Sequence, residues 1–346
     1  MSAIRTVAIA GPGGARARVL SYGARLQAFE VPDRDGALDS IVLGYPDPES
    51  YRRDTAFIGG VIGRYANRIA GARFVLDGRM IAMPANDGAN HLHGGLEGFD
   101  RRDWTITDAD SRSVRLGLVS EDGDQGYPGR LAVTALYAFD DDDALTITLE
   151  AATDAPTIVN LSHHAYFNLA GQRRGGSIAG HWLRIAASCF TPTDAEAIPT
   201  GEVRDVTGTA FDFRTPHRVG ARWSSDDRQL VQAGGYDHNY VIDGREGAFR
   251  RIATLYDPGS GRLLDLSSTA PGLQFYSGNA LSSGDPGLGG RAYAAREGLC
   301  LEPQHFPDSP NRPAFPSARL APGEVYRHQI RLAPGTAGTA EAAFAR

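Results

Sequence analysis

Along most of this chain apolar and polar positions alternate with a period of two, the spacing of a strand that buries one face. The clearest run, residues 131–139, predicts a strand that meets a second one at 144–150 across an acidic turn from Asp140 to Asp143. That turn reads as a solvated connection. Residues 73–83 hold two strands around Asp77-Gly78, a residue pair that tight hairpins favour. Further strands are predicted at 157–161, 182–185, 239–242, 251–256, 263–268, 272–277 and 325–332. Short helices are predicted at 48–53 and 224–232, and an Ala-rich tail, 337–346, reads as a short or frayed helix. Nothing in the pattern separates two cores or repeats itself. The expectation is one large antiparallel all-β domain over residues 1–346, with few short helices.

Composition sharpens this picture. The 42 glycines and 20 prolines fall between short apolar runs, as in a chain with many turns. A length of 346 residues is ample for a sizeable core. The formal charge of −6 and the scattered Lys and Arg give no basic stripe, so no nucleic-acid partner is expected. No apolar run approaches the ~18 residues of a membrane span. The N-terminus makes a poor signal peptide, and Cys189 and Cys300 are too few for a disulfide framework. Free thiols and a cytoplasmic setting are expected, with a monomer and a homodimer both open.

The candidate chemistry begins at Glu302. It follows the apolar run Leu299-Cys300-Leu301 and precedes Pro303, which is expected to stop the ladder because it has no N–H. An acid at the end of a buried strand can be a desolvated general base. His164, in a segment with Tyr166, Phe167 and Asn168, is the candidate acid. Other polar clusters lie at Asn67-Arg68, at Asn90-His91-Leu92-His93-Gly94-Gly95 and at Tyr236-Asp237-His238-Asn239.

Each residue has a structural reading as well. Arg68 is an ion-pair former or a fork of donors for hydroxyl groups. Asp237 caps a turn or accepts from two adjacent hydroxyls. Tyr166, Phe167, Phe275 and Tyr276 are core, unless one stacks on the apolar face of a sugar. His91 and His93 would share a face if their segment is extended. With His163 or His164 and Glu302 they would then make a metal site. No HExxH and no cysteine pair supports that alternative, and Gly94-Gly95 reads as a close backbone approach. His181, His217, His305 and His328 read as structural, as do His91 and His163 on balance.

Six strings in order resemble the aldose 1-epimerases, or galactose mutarotases: GRYANRI (63–69), NHLHGG (90–95), HHAYFNLAG (163–171), YDHNYVID (236–243), PGLQFYSGN (271–279) and LEPQHFPDSPN (301–311). The resemblance implies the galactose mutarotase-like supersandwich, a free aldohexose such as galactose or glucose as substrate, and no cofactor and no metal. It implies His164 as general acid and Glu302 as general base, with the histidine held protonated beside an ionised glutamate. It further implies substrate contacts from His93, Arg68 and Asp237, and also from Asn67, Tyr166 and Gln274. Three rivals stay open. One is an epimerase of a hexose 6-phosphate or another aldose, with Arg64, Arg101 and Arg102 as candidate phosphate readers. The others are a non-catalytic sugar-binding protein of the same fold and a metal-dependent isomerase.

Overall fold

The computed structural model describes residues 3–345. Two sheets face each other across the main core. The larger has nine strands, in the order Thr105–Ala109, Ser113–Ser120, Leu131–Phe139, Leu145–Thr153, Tyr326–Thr336, Arg262–Ser268, Arg250–Tyr256, Trp182–Ile185 and His217–Arg218. The smaller has six: Tyr166–Phe167, Leu299–Gln304, Gly272–Tyr276, Asp237–Ile242, Ala187–Thr191 and Arg204–Asp205. A four-stranded meander over residues 6–40 packs against strands of the larger sheet. Paired strands are antiparallel in both sheets. The chain forms the antiparallel all-β domain expected from the alternation, in the sandwich that the resemblance implied.

The same alternation decides what each face does. Leu299 and Leu301, Leu273 and Phe275, and Tyr240 and Ile242 point from the small sheet into the core, against Ile147, Leu149, Leu264 and Ile330 of the large one. The intervening side chains leave on the opposite face. Glu302 pairs across the ladder with Gln274, and Gln274 with Asn239; Cys300 pairs with Tyr276, and Tyr276 with Asp237. Directly paired residues share a face, so one sheet surface builds the core and the other carries the polar cluster.

Three expectations change here. Pro303 does not stop its strand, which runs through it to Gln304 with Pro303 opposite Leu273. On its other edge this strand pairs only at Leu299 and Cys300, so that edge is free of ladder partners by the time it reaches Pro303. The acidic turn is more than solvated: the Asp143 carboxylate accepts from the N–H groups of Gly13 and Ala15, and Asp140 pairs with Arg331. The strand predicted at 157–161 shortens to Thr157–Ile158. Helices are as scarce as expected. Pro48–Arg52 is a 3-10 turn, and Arg228–Ala233 is capped by the Asp227 side chain and ended by Gly234 in the left-handed region at φ 67°. The tail forms Ala340–Phe344, and Arg346 lies outside the described residues. Cys300 is buried, but Cys189 is only half-buried; both are free.

A buried ion network, not foreseen from the sequence, braces one wall of the polar face. Arg25 is fully buried and donates to the Asp54 carboxylate at 3.0 Å and to the Asp100 carboxylate at 3.2 Å. Asp54 in turn accepts from the N–H groups of Ala56 and Ile58. Removing one partner of such a cluster strands buried charge. Arg25→Ala is therefore expected to cost about 3–5 kcal/mol, read as a lowered midpoint of urea unfolding; an unchanged midpoint would show the network to be dispensable.

Candidate active site

The polar face of the small sheet opens into a cavity of about 340 Å³. Its floor is Glu302, His164 and Tyr166, all nearly inaccessible. His164 leaves a segment tied to the braced loop, since its N–H donates to the Gly60 carbonyl and its carbonyl accepts from Gly59. Its Nε2 stands 3.8 Å from Glu302 Oε2. The other ring nitrogen, Nδ1, meets Cys300 Sγ at 3.5 Å. Glu302 Oε2 has no hydrogen-bond partner within the protein, which leaves a buried, unsatisfied acceptor on a residue that lines the cavity.

His93 stands beside His164, with ring centroids 5.4 Å apart, and packs on Phe57 at 4.7 Å. It adopts φ 52°, which turns it out of the strand His91–Leu92. The two histidines therefore do not share a face as an extended segment would require. The turn is possible because Gly94 approaches so closely that a Cβ there would lie 1.8 Å from the Gly63 carbonyl oxygen. His93 Nδ1 accepts from the Asn67 N–H at 3.2 Å. With Nδ1 an acceptor, a neutral ring carries its proton on Nε2. Burial holds His93 well below the ordinary histidine range, so it is a neutral donor.

Arg68 and Asp237 line the cavity together with Asn67. Arg68 Nε is fixed by Asp87 at 2.7 Å. Asp237 Oδ1 accepts from Gln274 Nε2 at 2.7 Å. Gln274 is buried behind Asp237 and does not line the cavity. Tyr276 is on the wall, while Phe275 and Phe167 are core. Phe57, Asp87, Cys300 and the Arg25 network were not foreseen as parts of the site. Asp87 had no reading from the sequence, and Cys300 was expected only to be a free thiol. The one available hint for Phe57 was the Gly59-Gly60 pair that follows it.

The electrostatics correct one expectation. Burial raises the Glu302 carboxyl well above its usual range, and Asp237 adds to this. Burial lowers the His164 imidazole to about 4. A protonated histidine beside an ionised glutamate was expected, yet desolvation penalises both charges and the free site favours the neutral pair. The neutral pair holds one proton, the same number as the ion pair.

The metal arrangement weighed from the sequence does not assemble. His91 is bound to the Pro84 carbonyl and the Tyr127 hydroxyl, and His163 packs on Tyr137 in the core. Among the described residues, the donor atoms that do approach one another are those of His164, Cys300 and Glu302. Arg64 is buried too, donating to the carbonyls of Gly129 and Ser120, and is unavailable to read a phosphate. Arg101 and Arg102 lie outside the cavity lining, and Arg102 is paired with Asp124.

The sequence profile described as Aldose 1-epimerase matches residues 5–333. The chain belongs to the aldose 1-epimerase family. It is 42% identical over 313 residues to a galactose mutarotase of Bos taurus, covering 90% of this chain and 89% of that protein. It is 39% identical over 324 residues to an aldose 1-epimerase of Escherichia coli K12, covering 93% and 92%. An aldose epimerase homologue from C. elegans superposes with a TM-score of 0.87 at 30% identity, over 96% of this chain and 99% of that one. A galactose 1-epimerase structure from Lactobacillus acidophilus gives 0.83 at 28% identity, over the same shares. These epimerase structures share the sandwich described above. In this member of the family, no helix among the described residues is long and apolar enough to cross a membrane.

Proposed function

We propose that this protein is a mutarotase that interconverts the α- and β-anomers of free aldohexoses such as galactose and glucose. The observation that carries the reading is the facing pair of Glu302 and His164 on the floor of an open polar cavity. Opening the ring needs a base at the C1 hydroxyl and an acid at the ring oxygen. Glu302 takes the O1 proton, His164 gives a proton to O5, and the C1–O5 bond breaks as C1=O1 forms. Rotation about C1–C2 exposes the other face of the aldehyde. O5 then attacks C1, returning its proton to His164 while Glu302 reprotonates O1. The pair starts and ends with one proton. Hydroxyl groups of the bound sugar donate to the Glu302 carboxylate, which favours its charged form once substrate has displaced water.

His93, Arg68, Asn67 and Asp237 hold the hydroxyl groups, Tyr166 stands beside His164, and Gln274 acts by orienting Asp237. The lining supports a neutral aldose over a phosphorylated one: its cationic side chain is Arg68, already paired with Asp87 and facing Asp237. A facing acid and base favours an enzyme over a pure binding protein. We place it in the cytoplasm as a monomer or homodimer acting on a small sugar, with no nucleic-acid partner. Residues 1–346 are taken as one folding unit, which a single cooperative calorimetric transition would support and two resolved transitions would refute.

Polarimetry of fresh α-D-galactose and α-D-glucose, with and without EDTA, tests the function. Acceleration over the spontaneous rate is expected. No acceleration of either sugar would remove the free-hexose reading. Asp237→Ala and Arg68→Ala are each expected to raise KM about tenfold or more and also to lower kcat, because they grip the substrate in the ground state and hold it in register more tightly still in the transition state. An unchanged KM in both would remove them from the site.

A further inference from the structure

We propose that His164, Cys300 and Glu302 also form an inhibitory site for a thiophilic divalent cation of the zinc class. The inference rests on reading this cavity as the reacting site. Cys300 and Glu302 are two apart on one strand, so both side chains leave on the cavity face. His164 stands between them, with Nδ1 3.5 Å from Sγ and Nε2 3.8 Å from Oε2, so one of its two nitrogens must turn towards the ion. One donor atom from each residue lies within 4.8 Å of the other two. A tetrahedral zinc with bonds of ~2.0–2.3 Å sets its ligand atoms roughly 3.3–3.8 Å apart. The trio thus closes on an ion through side-chain shifts of about 1 Å together with a rotation of the His164 ring.

The donor chemistry points the same way. Thiolate with imidazole and carboxylate suits zinc, whereas magnesium and calcium take oxygen ligands. Glu302 Oε2 is buried without a partner and so presents a free acceptor to the gap. The cavity is the ion's entry path and leaves its fourth position to water. Binding displaces the thiol proton and the single proton of the histidine–glutamate pair. Two negative charges and a neutral imidazole then balance the dication. Since the acid and the base are both captured, the loaded protein is inactive, and the ion competes with the aldose.

The test uses the full-length protein after chelator treatment. Cobalt(II) titration is expected to give a near-ultraviolet thiolate-to-metal band that saturates at one ion per chain and is displaced by zinc. Zinc inhibition is expected to be competitive with the sugar and reversed by EDTA. Cys300→Ser should remove the band and raise the half-inhibiting zinc concentration, measured against that variant's own turnover, by about tenfold or more. Cys189→Ser, which removes the other thiol, should change neither. No cobalt band in the wild-type protein, or zinc inhibition unaltered in Cys300→Ser, would overturn the site. If Cys300→Ser does not fold, persistence of the band in Cys189→Ser assigns it to Cys300, and its loss there refutes the assignment. The cobalt band is independent of turnover. A band without acceleration of any aldose would sink the mutarotase reading and leave the metal site standing; acceleration without a band would do the reverse.

Discussion

Glu302→Gln is expected to lower kcat by roughly a thousandfold, with KM close to wild type. Glutamine keeps the shape and a carbonyl oxygen near the place of Oε2, so the sugar still docks. What it lacks is a group able to take the O1 proton and return it after rotation. The pair's proton count fixes the pH profile as well. Below about 4 both Glu302 and His164 are protonated and the base is occupied. Above the raised Glu302 value the pair has lost its one proton and the acid is gone. The wild-type rate should therefore fall on both sides of a plateau. Polarimetric rates across the pH range, corrected for spontaneous mutarotation, measure both effects. Near-wild-type turnover of folded Glu302→Gln would remove the base, and a flat profile would remove the pair.

His164→Asn should be comparably severe, with a kcat loss of about a hundredfold to ten-thousandfold. Asparagine is a donor of similar reach, but it cannot release a proton to O5 as the C1–O5 bond breaks. The leaving oxygen would then carry charge in a site whose buried floor disfavours it. The acid and base act in one step, so their losses should not add. The double variant should be about as slow as the slower single variant. Losses that multiply fully would mean that the two groups serve separate steps. Circular dichroism of each variant separates lost chemistry from lost fold.

The two tests bear on a pair whose protonation was read differently from sequence and from structure. A glutamate beside a histidine suggests an ion pair, because sequence shows which groups are present but not how much water reaches them. Glu302 and His164 are only 2% and 5% exposed. At that depth burial raises the Glu302 carboxyl and lowers the His164 imidazole, which favours the neutral pair in the free site.

Local periodicity by itself determined the strands and the all-β class. Leu131–Phe139 and Trp182–Ile185 begin and end where their alternation does, because a period of two matches one buried sheet face. The hairpin at Asp77-Gly78 followed from turn chemistry, with its strands at Arg73–Leu76 and Arg79–Ala82. Of the eight side chains named through the ordered strings, seven line the cavity and Gln274 lies behind it, while wall residues such as Thr55, Ala56 and Phe57 fall outside those strings.

Only the tertiary structure decided the rest. Pro303 continues its strand because the neighbouring edge is free, and a sequence does not show edges. His91 and His93 part company because Gly94 must pass the Gly63 carbonyl, a contact between segments thirty residues apart. Arg25, Asp54 and Asp100 brace the wall from three distant segments, and Cys300 reaches His164 across 136 residues. Side-chain direction along one strand is a local property and can be read from spacing. Which strands become neighbours, and how far water is excluded between them, depends on long-range packing that no local pattern records.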